Sequence, residues 1–226
     1  MIEDWRALLY NLGFLSSLVF GARFLYQWLD SERKKQSVVT PLFWRLSLLG
    51  NCLLLTHALI QMQLHVFLIQ LCNALISWRN LNLMREKIPL RNFLQRAALC
   101  LILGLALYFS QIAWLGFDIP LFRIPANPWQ TLPDEPISWL WHLFGMGGLL
   151  LFNSRFWVQW WFAEKDQKSS LGPAFWWISL VGDGCCLIYF AKISDPVNLI
   201  GPALGLIPYL RNLMLISRRR SSQQTT

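Results

Sequence analysis

The side chains able to do chemistry in this sequence recur in two matching sets. Arg23 and Gln27 are spaced i, i+4 inside an apolar run, so they share one helical face, and Arg155 and Gln159 repeat that face in a later run. A guanidinium grips phosphate through a planar, bidentate fork, and two arginines converging on one cavity would suit a phosphate. Plainer roles fit too: Arg23 can snorkel to an interface or pair with Glu32. Trp44, Ser47 and Asn51 fall on one face at i, i+3, i+7, and Trp176, Ser179 and Asp183 repeat it. Tryptophan stacks on sugars, while Asn51 and Asp183 would hydrogen-bond hydroxyls. An acid within an apolar run must face protein or water, so Asp183 is either a ligand- or proton-coupled group or an interhelical hydrogen-bonding residue. Asn73, His57 and Tyr189 are further polar groups in apolar surroundings; a lone His there is more often packed than ligating. Glu32, Glu164, Arg79, Asn80, Arg211 and Asn212 fall toward helix ends, where headgroups and the helix dipole favour charge.

These residues belong to a longer repeat. Arg23-Phe24, Gln27-Trp28, Glu32, Ser37, Pro41, Phe43-Trp44, Ser47-Leu48 and Gly50 return, without a gap, as Arg155-Phe156, Gln159-Trp160, Glu164, Ser169, Pro173, Phe175-Trp176, Ser179-Leu180 and Gly182. Residue n of the first copy answers to n + 132 in the second, and Arg79-Asn80-Leu81 still meets Arg211-Asn212-Leu213. Fixed-period similarity in one register means one structural unit used twice.

Composition sets the medium. Of 226 residues, 55% are hydrophobic and 14% charged, and mean hydropathy is +0.39, which points to an integral membrane protein. Thirteen Trp and fifteen Phe suit membrane–water interfaces. The net charge of +8 is gathered between apolar runs, at Arg33-Lys34-Lys35, from Arg85 to Arg96 and at Arg218-Arg219-Arg220, a pattern of membrane loops rather than of nucleic-acid binding. Cys52, Cys72, Cys100, Cys185 and Cys186 lie in apolar runs without metal-ligand spacing and suit packing. No cleavable signal sequence is evident. No nucleotide loop, catalytic Ser/His/Asp set, metal cluster or cofactor motif is visible, so an enzyme acting alone is not supported.

Seven spans are expected, at 7–29, 41–61, 63–83, 93–115, 138–162, 173–193 and 196–216. Pro41 and Pro173 open the second and sixth, since proline suits the first helical position. Lys and Arg in 30–40, 84–92, 163–172 and the tail put those segments inside, giving an N-terminus outside and a C-terminus inside. An unduplicated span, 93–115, lets two three-span repeats run parallel. The expectation is an all-α membrane protein of three-plus-one-plus-three helices, as in SWEET transporters. Its parts are a first repeat (1–83), a linker helix with a Pro-rich outer loop, a lid or plain linker (84–137), a second repeat (138–216) and a basic tail (217–226). Pro202 and Pro208 predict a kinked seventh span.

The strings Arg-Phe-x-x-Gln-Trp-x-x-x-Glu, Pro-x-Phe-Trp-x-x-Ser-Leu-x-Gly and Arg-Asn-Leu resemble the lipid-A biosynthesis N-terminal domain, over roughly 8–83 and 140–215. That family is a three-span module, sometimes fused to lipid-A-disaccharide synthase and grouped with the PQ-loop and SWEET-like superfamily. Its members tend to carry an aromatic two residues before Arg-Asn-Leu; Tyr209 fits and Ser77 departs. The resemblance implies lipid A or lipopolysaccharide metabolism in a bacterial inner membrane, with a lipid-linked sugar or lipid A precursor, membrane lipids and a glycosyltransferase as partners. Synthase activity itself is not carried over. The leading expectation is a transporter or flippase for a lipid-linked sugar. The alternatives are a non-catalytic scaffold for a lipid A glycosyltransferase and a free-sugar transporter.

Overall fold

The computed structural model describes residues 4–35, 37, 39–85, 87–115 and 137–224. Their regular structure is all helical: a short helix α1 (Asp4–Leu9), a 3-10 turn (Tyr10–Leu12) and seven long helices. The long ones are α2 (Gly13–Lys34), α3 (Pro41–Gln61), α4 (Leu64–Met84), α5 (Leu90–Leu115), α6 (Trp139–Asp166), α7 (Pro173–Lys192) and α8 (Pro196–Gln224). They match the seven expected spans, with α2, α6 and α8 running several residues further. The Pro-rich loop lies outside the described residues but for Ile137.

Among the described residues, five stretches are long and apolar enough to cross a membrane: Arg6–Lys34, Pro41–Gln61, Leu90–Trp114, Pro173–Lys192 and Pro196–Ser217. The expected third and fifth spans, α4 and α6, are not among them. Their polar load is the reason: α4 carries Gln70, Asn73, Arg79, Asn80 and Asn82, and α6 carries Asn153, Arg155 and Gln159. Much of it is spent between these two helices. Leu18, Leu25, Ile102, Leu103, Trp161 and Trp177 stand exposed around the outside. That apolar rim and the all-helical backbone are compatible with a multi-pass membrane protein.

The two copies share backbone detail. Pro41 and Pro173 each open a helix at its first turn, and the Thr40 side chain accepts the Phe43 N–H. Lys35 and Gln167 end α2 and α6 at φ of 50° and 49°. Met62 and Ser194 take φ of 56° and 52° in the tight turns, where Gln63 N–H bonds Ala58 O and Asp195 N–H bonds Phe190 O. Positive φ is uncommon for residues other than glycine, so its recurrence at one offset marks one backbone used twice.

Packing joins the copies into a ring. Each helix touches its chain neighbour within α2–α3–α4 and within α6–α7–α8, while α2 meets α8 and α4 meets α6. Close approach in each copy depends on the repeated glycine. A Cβ on Gly50 would meet the Phe20 ring at 2.6 Å, and one on Gly182 would meet the Phe152 backbone at 2.5 Å. Helix α5 stands outside the ring against α4, through Phe67 on Tyr108 and Leu71 under Gly104. One apolar cluster, with Phe24, Trp44, Phe156, Trp176 and Tyr209, draws on both copies.

Candidate functional site

The repeated motif residues meet one another across the two junctions of the ring. Gln27 on α2 and Asn212 on α8 exchange two amide hydrogen bonds, of 3.1 and 3.2 Å. Their counterparts Gln159 on α6 and Asn80 on α4 do the same at 2.7 and 3.0 Å. Arg79 donates twice to Glu164, at 2.5 and 2.9 Å, and Arg211 donates twice to Glu32. Trp28 and Trp160 each bond the glutamate one turn on. Trp44 Nε1 donates to Ser169 at 2.9 Å and Trp176 Nε1 to Ser37 at 3.2 Å. Every contact joins one copy to the other except the two tryptophan–glutamate bonds. A bidentate arginine–carboxylate pair adds fixed geometry to charge, and the buried amide pairs satisfy groups that would be costly alone.

This layer absorbs many of the sequence candidates. Gln27, Gln159, Asn80 and Asn212 serve the junctions, and Glu32, Glu164, Arg79 and Arg211 clamp them. Trp44 and Trp176 are buried with their indole nitrogens spent on serines. Ser47 bonds Phe43 O and accepts from Arg23, and Ser179 bonds Phe175 O. Tyr189 pairs with His142 at 3.0 Å. Tyr10 packs on His57 in the other copy, with ring centroids 5.3 Å apart. Tyr10 and His142 share one register position, His57 and Tyr189 another, so the two side-chain types are exchanged between copies.

Four candidates line a central cavity of about 80 Å³: Arg23, Asn51, Asn73 and Arg155. Both arginines are 3% exposed and lie over aromatic rings, Arg23 on Phe24 and Arg155 on Phe152. Arg23 Nη1 donates to Ser47 and Arg155 Nη1 to Tyr209, while the Nε–H of each has no hydrogen-bond partner among the described residues. Asn51 donates to Ser77, and Asn73 donates to Asn153 across the α4–α6 junction at 2.6 Å. Asp183 is buried, and neither carboxylate oxygen has a partner among the described residues.

In the sequence Asn153 passes unmarked and Ser77 stands out only as a departure from the family's aromatic; their counterparts are Gly21 and Tyr209, so the duplication flags neither as a cavity or junction residue. Ser37 and Ser169 were visible in the motif, but nothing in their spacing named a distant indole as partner.

At the far end of α2 and α8, Tyr10 donates to Asp195, which also accepts from Asn198. Burial pushes the Asp195 carboxyl up, while hydrogen bonds from Asn198, Tyr10 and Gln63 pull the other way. Among the described residues no group of three His, Cys, Asp or Glu could hold a metal ion. The cavity wall thus carries two buried guanidiniums, Arg23 and Arg155, among apolar and amide side chains.

Relatives narrow the setting. The chain is 34% identical over 217 residues to a lipid-A-disaccharide synthase of Chlamydia felis, covering 93% of this chain and 33% of that protein. Synthases of Chlamydia caviae and Chlamydia pneumoniae are each 35% identical, with 93% and 95% of this chain covered. The chain thus spans about a third of the length of the curated relatives it matches. No solved structure matches it. The relatives are named for an enzyme of lipid A synthesis, which overturns the expected transporter or flippase, for lipid-linked or free sugar alike. The Lipid A Biosynthesis N-terminal domain matches at 12–82 and again at 144–214, each match covering the motifs that form the junctions. By that double match the chain belongs to the lipid A biosynthesis N-terminal domain family.

Proposed function

We propose that this chain is a membrane module of lipid A disaccharide synthesis. It stations a lipid-A-disaccharide synthase-type glycosyltransferase at the bilayer, where a lipid-linked sugar or lipid A precursor lies, and leaves the glycosyl transfer to that enzyme. The observation that carries this reading is the alignment of nearly the whole chain with one third of proteins named for the synthase. The geometry supports it. The motif residues are spent on holding two copies together in a rigid ring, as a platform requires, and the cavity is far below the roughly 300–1,000 Å³ of pockets that take whole small molecules.

The module sits in the bacterial inner membrane with its repeats, 1–83 and 138–216, parallel and joined through 84–137. The arrangement is three-plus-one-plus-three, of the SWEET-like kind, with the N-terminus outside and the basic tail 217–226 inside. Lys and Arg placement supports this orientation.

The test is recruitment. The tagged chain, extracted from its own membranes in mild detergent, should carry lipid A disaccharide-forming activity with it. Membranes lacking the chain should lose that activity from the particulate fraction. Unchanged activity, still membrane-bound without the chain, would overturn the reading.

A further inference from the structure

We propose that the junction of α2 and α8 binds a lipid phosphate, with the alkyl chain in an apolar groove there and the phosphate in the adjoining cavity beside Arg23 and Arg155. The groove measures about 540 Å³ and is lined by Leu18, Gly21, Ala22, Leu25, Leu204 and Ile207 among others. That volume is within the range of pockets that take a ligand. Leu18 and Ile207 are 69% and 64% exposed, so the groove opens toward the lipid. Ser17 and Phe24 line both groove and cavity, which makes the two spaces neighbours.

The groove belongs to this junction for a reason written in the repeat. Across α4 and α6 the corresponding positions hold Asn73 and Asn153, whose hydrogen bond ties the helices together. Across α2 and α8 they hold Gly205 and Gly21: the ring of Tyr209 takes the space beside Gly205, while Gly21 lies in the groove wall with Leu204 3.1 Å from where a Cβ would stand. Helix α8 also carries Pro202 in the cavity wall and Pro208 in the groove wall, where α4 has Gln70 and Ile76. The duplication broke its own symmetry at one junction.

Charge selects the head. The two buried guanidiniums, each with an unpaired Nε–H, have one nearby carboxylate, Asp183, and it makes no hydrogen bond among the described residues. A buried excess of positive charge is unfavourable until an anion joins it. The cavity, at about 80 Å³, is small beside the roughly 300–1,000 Å³ of pockets that take whole small molecules, and it suits a compact head such as one phosphate group. The occupant is therefore an anionic lipid whose compact phosphate enters while larger substituents stay outside.

This inference rests on the proposed function only for its setting, and its test reads binding rather than synthase recruitment. The full chain, held in a neutral sugar detergent, is titrated calorimetrically with dodecyl phosphate, inorganic phosphate and dodecyl glucoside. Dodecyl phosphate should saturate one site and bind roughly tenfold or more tighter than either of the others. Ala22→Trp or Leu204→Phe, which fill the groove and leave both arginines in place, should weaken it by a similar factor. Ser154→Trp, at the register position of Ala22 in the other junction, should leave it unchanged. Equal binding of inorganic phosphate would make the cavity an ion site only, and equal binding of dodecyl glucoside would remove the role of charge. Either result, or full binding by both groove-filled variants, overturns the proposal. Intact dodecyl phosphate binding with no synthase recruitment would overturn the earlier reading alone.

Discussion

Arg79 and Glu164 have side chains 3% and 17% exposed, whereas the equivalent Arg211 and Glu32 are 31% and 32% exposed. The two ion pairs share register and bidentate form but sit in different surroundings. Removing one partner of a buried pair costs about 3–5 kcal/mol, because the other charge is left uncompensated, while exposed pairs contribute about 0–1. Glu164→Gln should therefore lower stability by roughly 2–3 kcal/mol, and Glu32→Gln clearly less. Thermal unfolding of the detergent-solubilised protein reads the difference; equal losses would show that burial does not separate the pairs. At this scale the sequence displayed the residues but not their partners. The i, i+4 spacing of Arg23 and Gln27 puts them on one face, yet Arg23 turns out to line the cavity and Gln27 to bond Asn212. Spacing along one helix fixes a face and leaves open which neighbour that face meets.

The repeated glycine makes the helix pairs testable element by element. On α7 a Cβ at Gly182 runs into the backbone of α6, which cannot step aside; on α3 a Cβ at Gly50 meets the Phe20 ring, which can turn. Gly182→Ala should cost about 1–3 kcal/mol and Gly50→Ala clearly less, again by thermal unfolding. An equal cost at both would mean that α2 and α3 are as rigidly apposed as α6 and α7. Helix starts at Pro41 and Pro173 were legible because proline has a fixed place in the first turn. The ends were less so: Lys35 and Gln167 close α2 and α6 in left-handed conformations that their residue types do not announce. The polar character of α4 and α6 was written in plain view, but its meaning waited on their pairing. Helices too polar to stand alone in hydrocarbon become acceptable when their amides and charges face each other.

For the whole molecule, the proposed orientation makes a labelling prediction. Lys35, Lys168 and Ser194 are all exposed. Cysteines placed at the two lysines should react with a membrane-impermeant thiol reagent only from the inner face, and one at Ser194 only from the outer. Reaction of the Lys35 and Lys168 positions from opposite faces would refute the parallel repeats. The duplication and its exact register could be read from sequence alone, whereas the ring it closes could not, since α2 meets α8 across some 180 residues of chain. The pattern of those contacts has a further consequence. Gln27 meets Asn212 while Gln159 meets Asn80, and Glu32 meets Arg211 while Glu164 meets Arg79. When residue i of one unit meets j of the other, and j meets i in return, the interface is isologous, the kind that two-fold dimers of identical subunits use. A free-standing three-helix protein bearing these motifs would own both halves of the contact, and with them the faces to assemble as a homodimer. Within one chain the two halves need not be identical, and the exchange of tyrosine and histidine between Tyr10–His57 and His142–Tyr189 shows them differing at matched positions.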